Sequence, residues 1–336
     1  MTLDQLKSGG VYFYIADGPF KPANEHYVSA CLIAGLGRLG VPIFSNLEIA
    51  GATLSELKSM GRHLYVFDIT DQTTSSTLMS AITQFASPCK IILSRADQCA
   101  GIITPETVPA FMCHENRFRT ICGRRLPWAF GLSDAIMTAT AAGLPFEQRT
   151  PTLIRNFRPS LNQHVRNMLD LSLVGHLEKH FTIDRKISPD HHDRLMRSTG
   201  CLAYGGAFDE NLSLNDHLVT NDTLRTFYAY ITFHQPVTIV RWDSWRWWES
   251  LAAGCLTFHL DFEKYGFVLP VMPVAWKHYI PIDLADPKAT VERLMDERPR
   301  WPEIAAQGRF WARTHYSPEA TARRFIYHVT SDDLFT

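Results

Sequence analysis

No two cysteines of this chain stand in a C-x-x-C arrangement. The 7 that occur (Cys31, Cys89, Cys99, Cys113, Cys122, Cys201 and Cys255) are scattered and odd in number. That argues against a zinc site or a disulfide framework and for buried thiols in a reducing compartment. Long apolar runs are missing too: none approaches the ~18–20 residues of a membrane span. The start, Met1 to Lys7, does not have the charged-then-apolar layout of a secretory signal. A cytoplasmic protein without a transmembrane segment is the expectation. Charge of one sign is also scarce, with a formal net charge of -1, which argues against the extended basic face that nucleic acid requires. Neither internal repeats nor low-complexity stretches occur.

What the chain does have is length and apolar content. Its 336 residues, 46% of them hydrophobic, suffice for about two globular domains. The first half alternates β-rich runs with helical periodicity. Val11–Ala16, Val41–Phe44, Leu64–Ile69 and Lys90–Leu93 read as strands, with helices at Glu25–Leu39 and Thr77–Phe85 between them. The rhythm restarts after Thr150-Pro151. Thr152–Ile154 reads as a strand, and Pro159-Ser160 opens a helix whose stripe is Leu161, Val165, Met168, Leu169, Leu173 and Leu177. Strands at Phe181–Ile183, Cys201–Tyr204, Val237–Val240 and Leu256–Phe258 follow, then three helices that start near Asp286-Pro287, Trp301-Pro302 and Ser317-Pro318. Strands separated by helices predict an α/β protein of two Rossmann-like, doubly wound units facing a cleft. The expected boundaries are 1–150, 151–316 and a terminal helix at 317–336.

Gly35-Leu36-Gly37-Arg38-Leu39-Gly40 matches the G-x-G-x-x-G fingerprint of dinucleotide sites. That turn must follow a strand and open a helix, so that pyrophosphate meets the helix N-terminus. Here the glycines close a helix, and Gly40 is expected at its C-terminus in the left-handed conformation.

The segment Arg241–His259, RWDSWRWWESLAAGCLTFH, is more informative. Ser244 can cap a helix that carries Arg246 and Glu249 on one face and ends at Gly254. A guanidinium beside a helix N-terminus suits a diphosphate, and a carboxylate one turn on can accept hydrogen bonds from a ribose diol. The competing expectation is an Arg246–Glu249 surface ion pair beside a tryptophan-rich core face.

This segment resembles the C-terminal half of exostosin-like and group 1 type GT-B glycosyltransferases, whose pattern is S-x-R-x-x-E-a-l-x-x-G-c followed by a strand. It stands here as Ser244, Arg246, Glu249, Ser250-Leu251, Gly254 and Cys255. The order continues through Tyr265–Pro273, Tyr279-Ile280-Pro281-Ile282, Ala289–Met295 and Trp301–Tyr316, over the last third of the chain. One departure is Leu256-Thr257, where the family often has a proline. The resemblance implies transfer of a sugar from a nucleotide-diphosphate sugar to a glycan, lipid-linked, protein or small-molecule acceptor. It also implies that Arg246 contacts donor phosphate and Glu249 the ribose or sugar, and that the terminal helix returns to the first domain.

Further donor-side candidates are Arg155 and Arg158, between a strand and a helix start, and Gly205-Gly206, where backbone can approach a ligand. No cofactor besides the nucleotide sugar is expected. Metal-dependent transferases of the other major fold use Asp-x-Asp, and Asp261-Phe262-Glu263 is only an imitation of it. His191-His192, between Asp190 and Asp193, reads as a polar helix start rather than a metal site. An inverting enzyme needs a base for the acceptor hydroxyl. Asp17 and His26 are the first choices, with Glu25 beside His26 and Asp97, His114 and Glu115 as further candidates. The alternatives are a nucleotide-sugar epimerase of the same fold, a non-catalytic sugar-nucleotide binding protein and a nicotinamide oxidoreductase.

Overall fold

A computed structural model describes residues 1–15, 26–45, 64–69, 76–85, 89–95, 107–119, 124–157, 164–208, 238–331 and 334–335. The chain divides into two compact units. The first comprises residues 1–115, 120–134 and 315–336, and the second 116–119 and 135–314.

The first unit opens with α1 (Leu3–Gly9), which Thr2 and Gln5 start with a reciprocal capping box. Its sheet is parallel throughout, in the order β2-β1-β3-β4-β5-β6. The strands are β1 (Val11–Ile15), β2 (Ile43–Ser45), β3 (Leu64–Ile69), β4 (Lys90–Ser94), β5 (Ala110–Met112) and β6 (Arg125–Pro127). All six residues of β3 are buried, because a central parallel strand is covered on both faces and cannot alternate apolar with polar. The last two strands, β5 and the edge strand β6, were not foreseen. Each has three residues, too few to carry a period of its own.

Helices of this unit are α2 (Tyr27–Arg38), α3 (Ser76–Gln84) and, at the far end of the chain, α11 (Pro318–Thr330). The glycine fingerprint is divided between two structural tasks. Gly35 lies where α11 crosses α2: a Cβ built on it would stand 1.9 Å from the Pro318 carbonyl oxygen. Gly40, at φ +74°, ends α2 in a Schellman motif, in which the Val41 N–H bonds the Leu36 carbonyl and the Gly40 N–H the Gly37 carbonyl. Gly37 has open space around it. The strand–turn–helix context of a dinucleotide site is not formed by these glycines.

The second unit is built on β7 (Thr150–Ile154), β8 (Thr182–Asp184), β9 (Ser198–Leu202), β12 (Leu256–Leu260) and β13 (Ile280–Ile282). They form a parallel sheet in the order β13-β12-β9-β7-β8. A two-stranded antiparallel ribbon, β10 (Ala207–Phe208) with β11 (Ile239–Val240), follows β9. The helices are α4 (Asp134–Ala139, starting at the boundary), α5 (His164–Ser172), α6 (Val174–Leu177), α7 (His191–Arg197), α8 (Trp245–Ala253), α9 (Pro287–Asp296) and α10 (Trp301–Tyr316). Of the leucine stripe expected on one helix, Leu161 lies outside the described residues and the remainder, Val165 to Leu177, runs over two helices. Ser172 Oγ bonds back to the Met168 carbonyl, a contact that loosens the turn at which α5 gives way to α6.

Two doubly wound α/β units are therefore present, as the alternation of strands and helices predicts. The core of the second is aromatic. Trp247 and Trp248 of α8 are fully buried, Trp248 stacks on Trp311 with 5.9 Å between centroids, and Trp247 meets His259 edge-on at 4.9 Å. His259 is neutral in this setting, its pKa pushed down by burial to about 4. Among the described residues no helix is long and apolar enough to cross a membrane.

The helix crossing gives a paired prediction. Gly35→Ala overpacks the contact with Pro318 and should cost about 1–3 kcal/mol. Gly37→Ala gains helix propensity at no steric expense and should be neutral or stabilising by up to ~1 kcal/mol. Thermal melts of both variants check this; equal effects would refute the role given to Gly35.

Candidate donor site in the second unit

In chain order the second sheet runs 2-1-3-4-5, so its connections reverse direction between β7 and β9. Ligands of open α/β sheets bind outside the carboxyl ends of the strands at such a switch point. Arg155 and Asn156 leave β7 there, and Ala203 to Gly206 leave β9. The amino end of α8 joins them. Ser244 Oγ is 3.5 Å from the Ala203 carbonyl oxygen, and Arg246 Nε donates to Asn156 Oδ1 at 2.8 Å.

The local sequence explains why α8 begins there. Ser244 is extended (φ −155°, ψ 153°) and its hydroxyl accepts from the Trp247 N–H, as an N-cap should. Gly254, at φ +69°, closes the helix. Its N–H and that of Cys255 bond the Leu251 and Ser250 carbonyls. Burial of Trp247 and Trp248 turns Arg246 and Glu249 away from the core.

The Arg246–Glu249 ion pair of the competing expectation does not form. Arg246 binds only Asn156 among the described residues, through Nε to Oδ1 and through Nη2 to the backbone carbonyl at 3.3 Å. No described carboxylate lies within 4.0 Å of it. Glu249 instead accepts from two histidines of α7: His191 Nε2 reaches Oε2 and His192 Nε2 reaches Oε1, each at 3.2 Å. Asn156 Nδ2 in turn lies 2.9 Å from His191 Nδ1, which connects the two ends of the cluster. Burial would raise the Glu249 pKa, but the hydrogen bonds and charge of both histidines outweigh it and hold the carboxyl at about 2. His192 is raised from its ordinary value, chiefly by the hydrogen bond it donates to Glu249. Burial lowers Arg246, with Glu249 opposing.

The remaining candidates are placed unevenly. Arg155 is buried and pairs with Asp170, with Nη1 on the Phe157 carbonyl at 2.9 Å. Its guanidinium is thus committed within the fold. Gly206 has φ +131°, and a Cβ on it would come 2.6 Å from Ile239 Cγ2, so it admits the β10–β11 ribbon; Gly205 precedes it beside β9. His26 is buried at the amino end of α2 in the first unit, beside the switch point of that sheet. There Asp68 of β3 accepts from Ser29 Oγ at 2.5 Å. His114 and Glu115 follow β5; Glu115 pairs with Arg125 at 3.3 Å. Asp17, Glu25, Asp97 and Arg158 lie outside the described residues. Of the cysteines, Cys31, Cys113, Cys201 and Cys255 are buried free thiols and Cys89 is partly buried. Among the described residues no group of three or more His, Cys, Asp or Glu could hold a metal ion.

Asn156 and the histidine pair were missed as site residues. The pair was noticed only as a polar helix start, because its partner, Glu249, lies 57 and 58 positions away in sequence. For Asn156 the signal was its position directly after a strand at the switch point.

No protein-family profile and no curated protein matches this chain. Solved structures do. One, an alpha-glucosyltransferase in complex with UDP-glucose and DNA containing an abasic site, superposes with a TM-score of 0.55 at 8% identity. The match covers 96% of this chain and 99% of that one. A second is the pneumococcal O-GlcNAc transferase GtfA in complex with UDP and GlcNAc, with a TM-score of 0.46 at 10% identity over 83% of this chain and 60% of that one. The first match shows a shared fold: the chain has the α/β fold of that alpha-glucosyltransferase structure.

The Glu249–histidine cluster makes stability depend on pH in two directions. A carboxyl depressed on folding contributes stability that is complete above the unfolded value of 4.5 and is lost as pH falls toward 2. A histidine raised on folding contributes below 6.5 and loses its contribution as pH rises through its folded value. Both act fully between about pH 4.5 and 6.5. Glu249→Gln should therefore lower Tm most in that window, by roughly 2–6 °C. Melting curves across pH that run parallel for the two proteins would contradict the cluster.

Proposed function

We propose that this chain is a glycosyltransferase that moves a sugar from a nucleotide-diphosphate sugar to an acceptor hydroxyl. The observation that carries this is Arg246: a guanidinium at the amino end of α8, at the sheet's switch point, with no carboxylate partner among the described residues.

Sugar transfer breaks the bond between the anomeric carbon and the diphosphate, and negative charge grows on the departing oxygen. Donors fixed in advance where that charge develops stabilise the transition state without reorganisation. Arg246 is such a donor, since Asn156 holds its Nε and Nη2 and leaves Nη1 without a described partner. The first-turn N–H groups of α8 and its dipole add to the same potential. Glu249, kept ionised by His191 and His192, is an acceptor for the vicinal hydroxyls of the ribose or sugar. Ser244 sets the helix end, and Gly205-Gly206 and Arg158 complete the donor side. With Arg155 tied to Asp170, its role is to shape the loop after β7.

Diphosphate neutralisation falls to arginine and helix, so turnover should need no protein-held metal. Acceptor deprotonation is assigned to Asp17 or His26 of the first unit. UDP is the first nucleotide to test, because the structural neighbour of the same fold carries UDP-glucose.

The experiment is a thermal-shift screen with UDP, GDP, ADP, CDP, dTDP and NAD, followed by turnover of the sugar nucleotide that responds. A nucleotide at a hundred times its Kd should add ~2.7 kcal/mol of stability. Arg246→Ala should abolish that shift and slow transfer about a hundredfold, the equivalent of ~3 kcal/mol, with the fold intact. Unchanged turnover would refute the role of Arg246. Isomerised sugar nucleotide without free nucleotide would identify an epimerase, and binding without transfer a silent binder.

A further inference from the structure

A second cluster of positive charge lies at the other end of α8. The strands of a parallel sheet share one direction, so the segments before β7, β9 and β12 meet at the edge opposite the switch point. There a pocket of about 510 Å³ opens, within the ~300–1,000 Å³ of small-molecule sites. Three segments line it: Gly143 to Phe146 together with Arg149, Gly254 at the end of α8, and one face of α10 from Pro302 to Arg313. Nine residues of helix, about 13 Å, separate it from the donor site.

Three guanidiniums converge on this pocket, and no Asp or Glu lines it. A Cβ added at Gly254 would lie 3.4 Å from Arg309 Cδ and 3.5 Å from Arg149 Nη2, which measures how closely two of them approach. Among the described residues none of Arg149, Arg309 and Arg313 has a carboxylate within 4.0 Å. Their partners are neutral, chiefly carbonyls, with the Thr140 hydroxyl also on Arg313 and the Cys255 thiol on Arg149. Arg149 binds the carbonyls of Ala253 and Gly254 at 2.8 and 2.7 Å. Arg309 binds those of Thr140 and Ala141 at 2.9 and 3.0 Å, and Arg313 that of Thr140 at 2.8 Å. These carbonyls close α4 and α8, and two helix C-termini supply about one negative charge together. Three positive charges against about one leave a surplus of roughly two. Arg313 Nε is buried and has no partner among the described residues. Arg309 is lowered by burial and then by the charge of Arg149, and Arg313 by burial and then by Arg309, as expected of cations that repel one another.

The rest of the wall is apolar. Leu144, Phe146, Ala306 and Phe310 line the pocket, and Phe310 is 67% exposed, an unusual position for a phenylalanine. An inorganic ion would use the guanidiniums and leave that wall wet. A neutral apolar molecule would leave the surplus charge unmatched.

We propose that this pocket binds a small amphiphilic anion, its oxyanion head on Arg149, Arg309 and Arg313 and its apolar body against Leu144, Phe146 and Phe310. The site is separate from the donor site and does not depend on the function proposed for it.

Titration calorimetry with octyl phosphate, below its micelle concentration, tests this, with inorganic phosphate and octyl glucoside as the two halves of the ligand. Octyl phosphate should bind saturably, inorganic phosphate at least tenfold more weakly, and octyl glucoside without saturation. Arg309→Gln should weaken octyl phosphate at least tenfold. Phe310→Ser, at a position too exposed to affect folding, should weaken it severalfold and decides the matter if the arginine variant does not fold. Arg246→Ala should keep full affinity. The proposal is overturned if inorganic phosphate or octyl glucoside binds as tightly as octyl phosphate, if neither pocket variant weakens it, or if Arg246→Ala abolishes it.

Discussion

Burial of Trp247 and Trp248 against the second sheet fixes the rotation of α8, and that rotation decides where the polar residues of the helix point. With Ser244 as cap, the tryptophans and Leu251 face the core, while Arg246 and Glu249 face the loops after β7 and the start of α7. Neither polar residue could be held so firmly by a surface contact alone, since exposed ion pairs contribute ~0–1 kcal/mol. The aromatic core supplies the positional rigidity that a site for a charged ligand needs.

Around this helix, charge is distributed rather than cancelled. Glu249 is matched by two histidines and Arg155 by Asp170, whereas Arg246 receives only the amide and carbonyl of Asn156. The same contrast recurs at the C-terminal end, where three arginines meet carbonyls instead of carboxylates. A buried or half-buried cation held by neutral dipoles stays available to an incoming anion, because binding breaks no ion pair. The amino end of α8 has in addition the geometry of the switch point, which the opposite end does not share.

Much of this was legible in the sequence, for stateable reasons. The strands β1, β3 and β4 announce themselves as apolar runs, α8 by its serine cap and closing glycine, and Gly40 by its place after a helical period. The role of Gly35 was not legible. It depends on α11, which follows nearly three hundred residues later and crosses α2 at that point. The partners of Arg246 and Glu249 were likewise hidden, because local spacing on one helix suggested a pair where the fold supplies Asn156, His191 and His192 instead. Proximity along a helix competes with whatever the neighbouring elements bring, and here the neighbours won.

Hydrogen–deuterium exchange with and without a saturating nucleoside diphosphate tests the assignment of the donor site most directly. The account predicts added protection at the first turn of α8, the Asn156 loop and the residues after β9, with α10 unaffected. Protection confined to other segments, or none at these three, would contradict it.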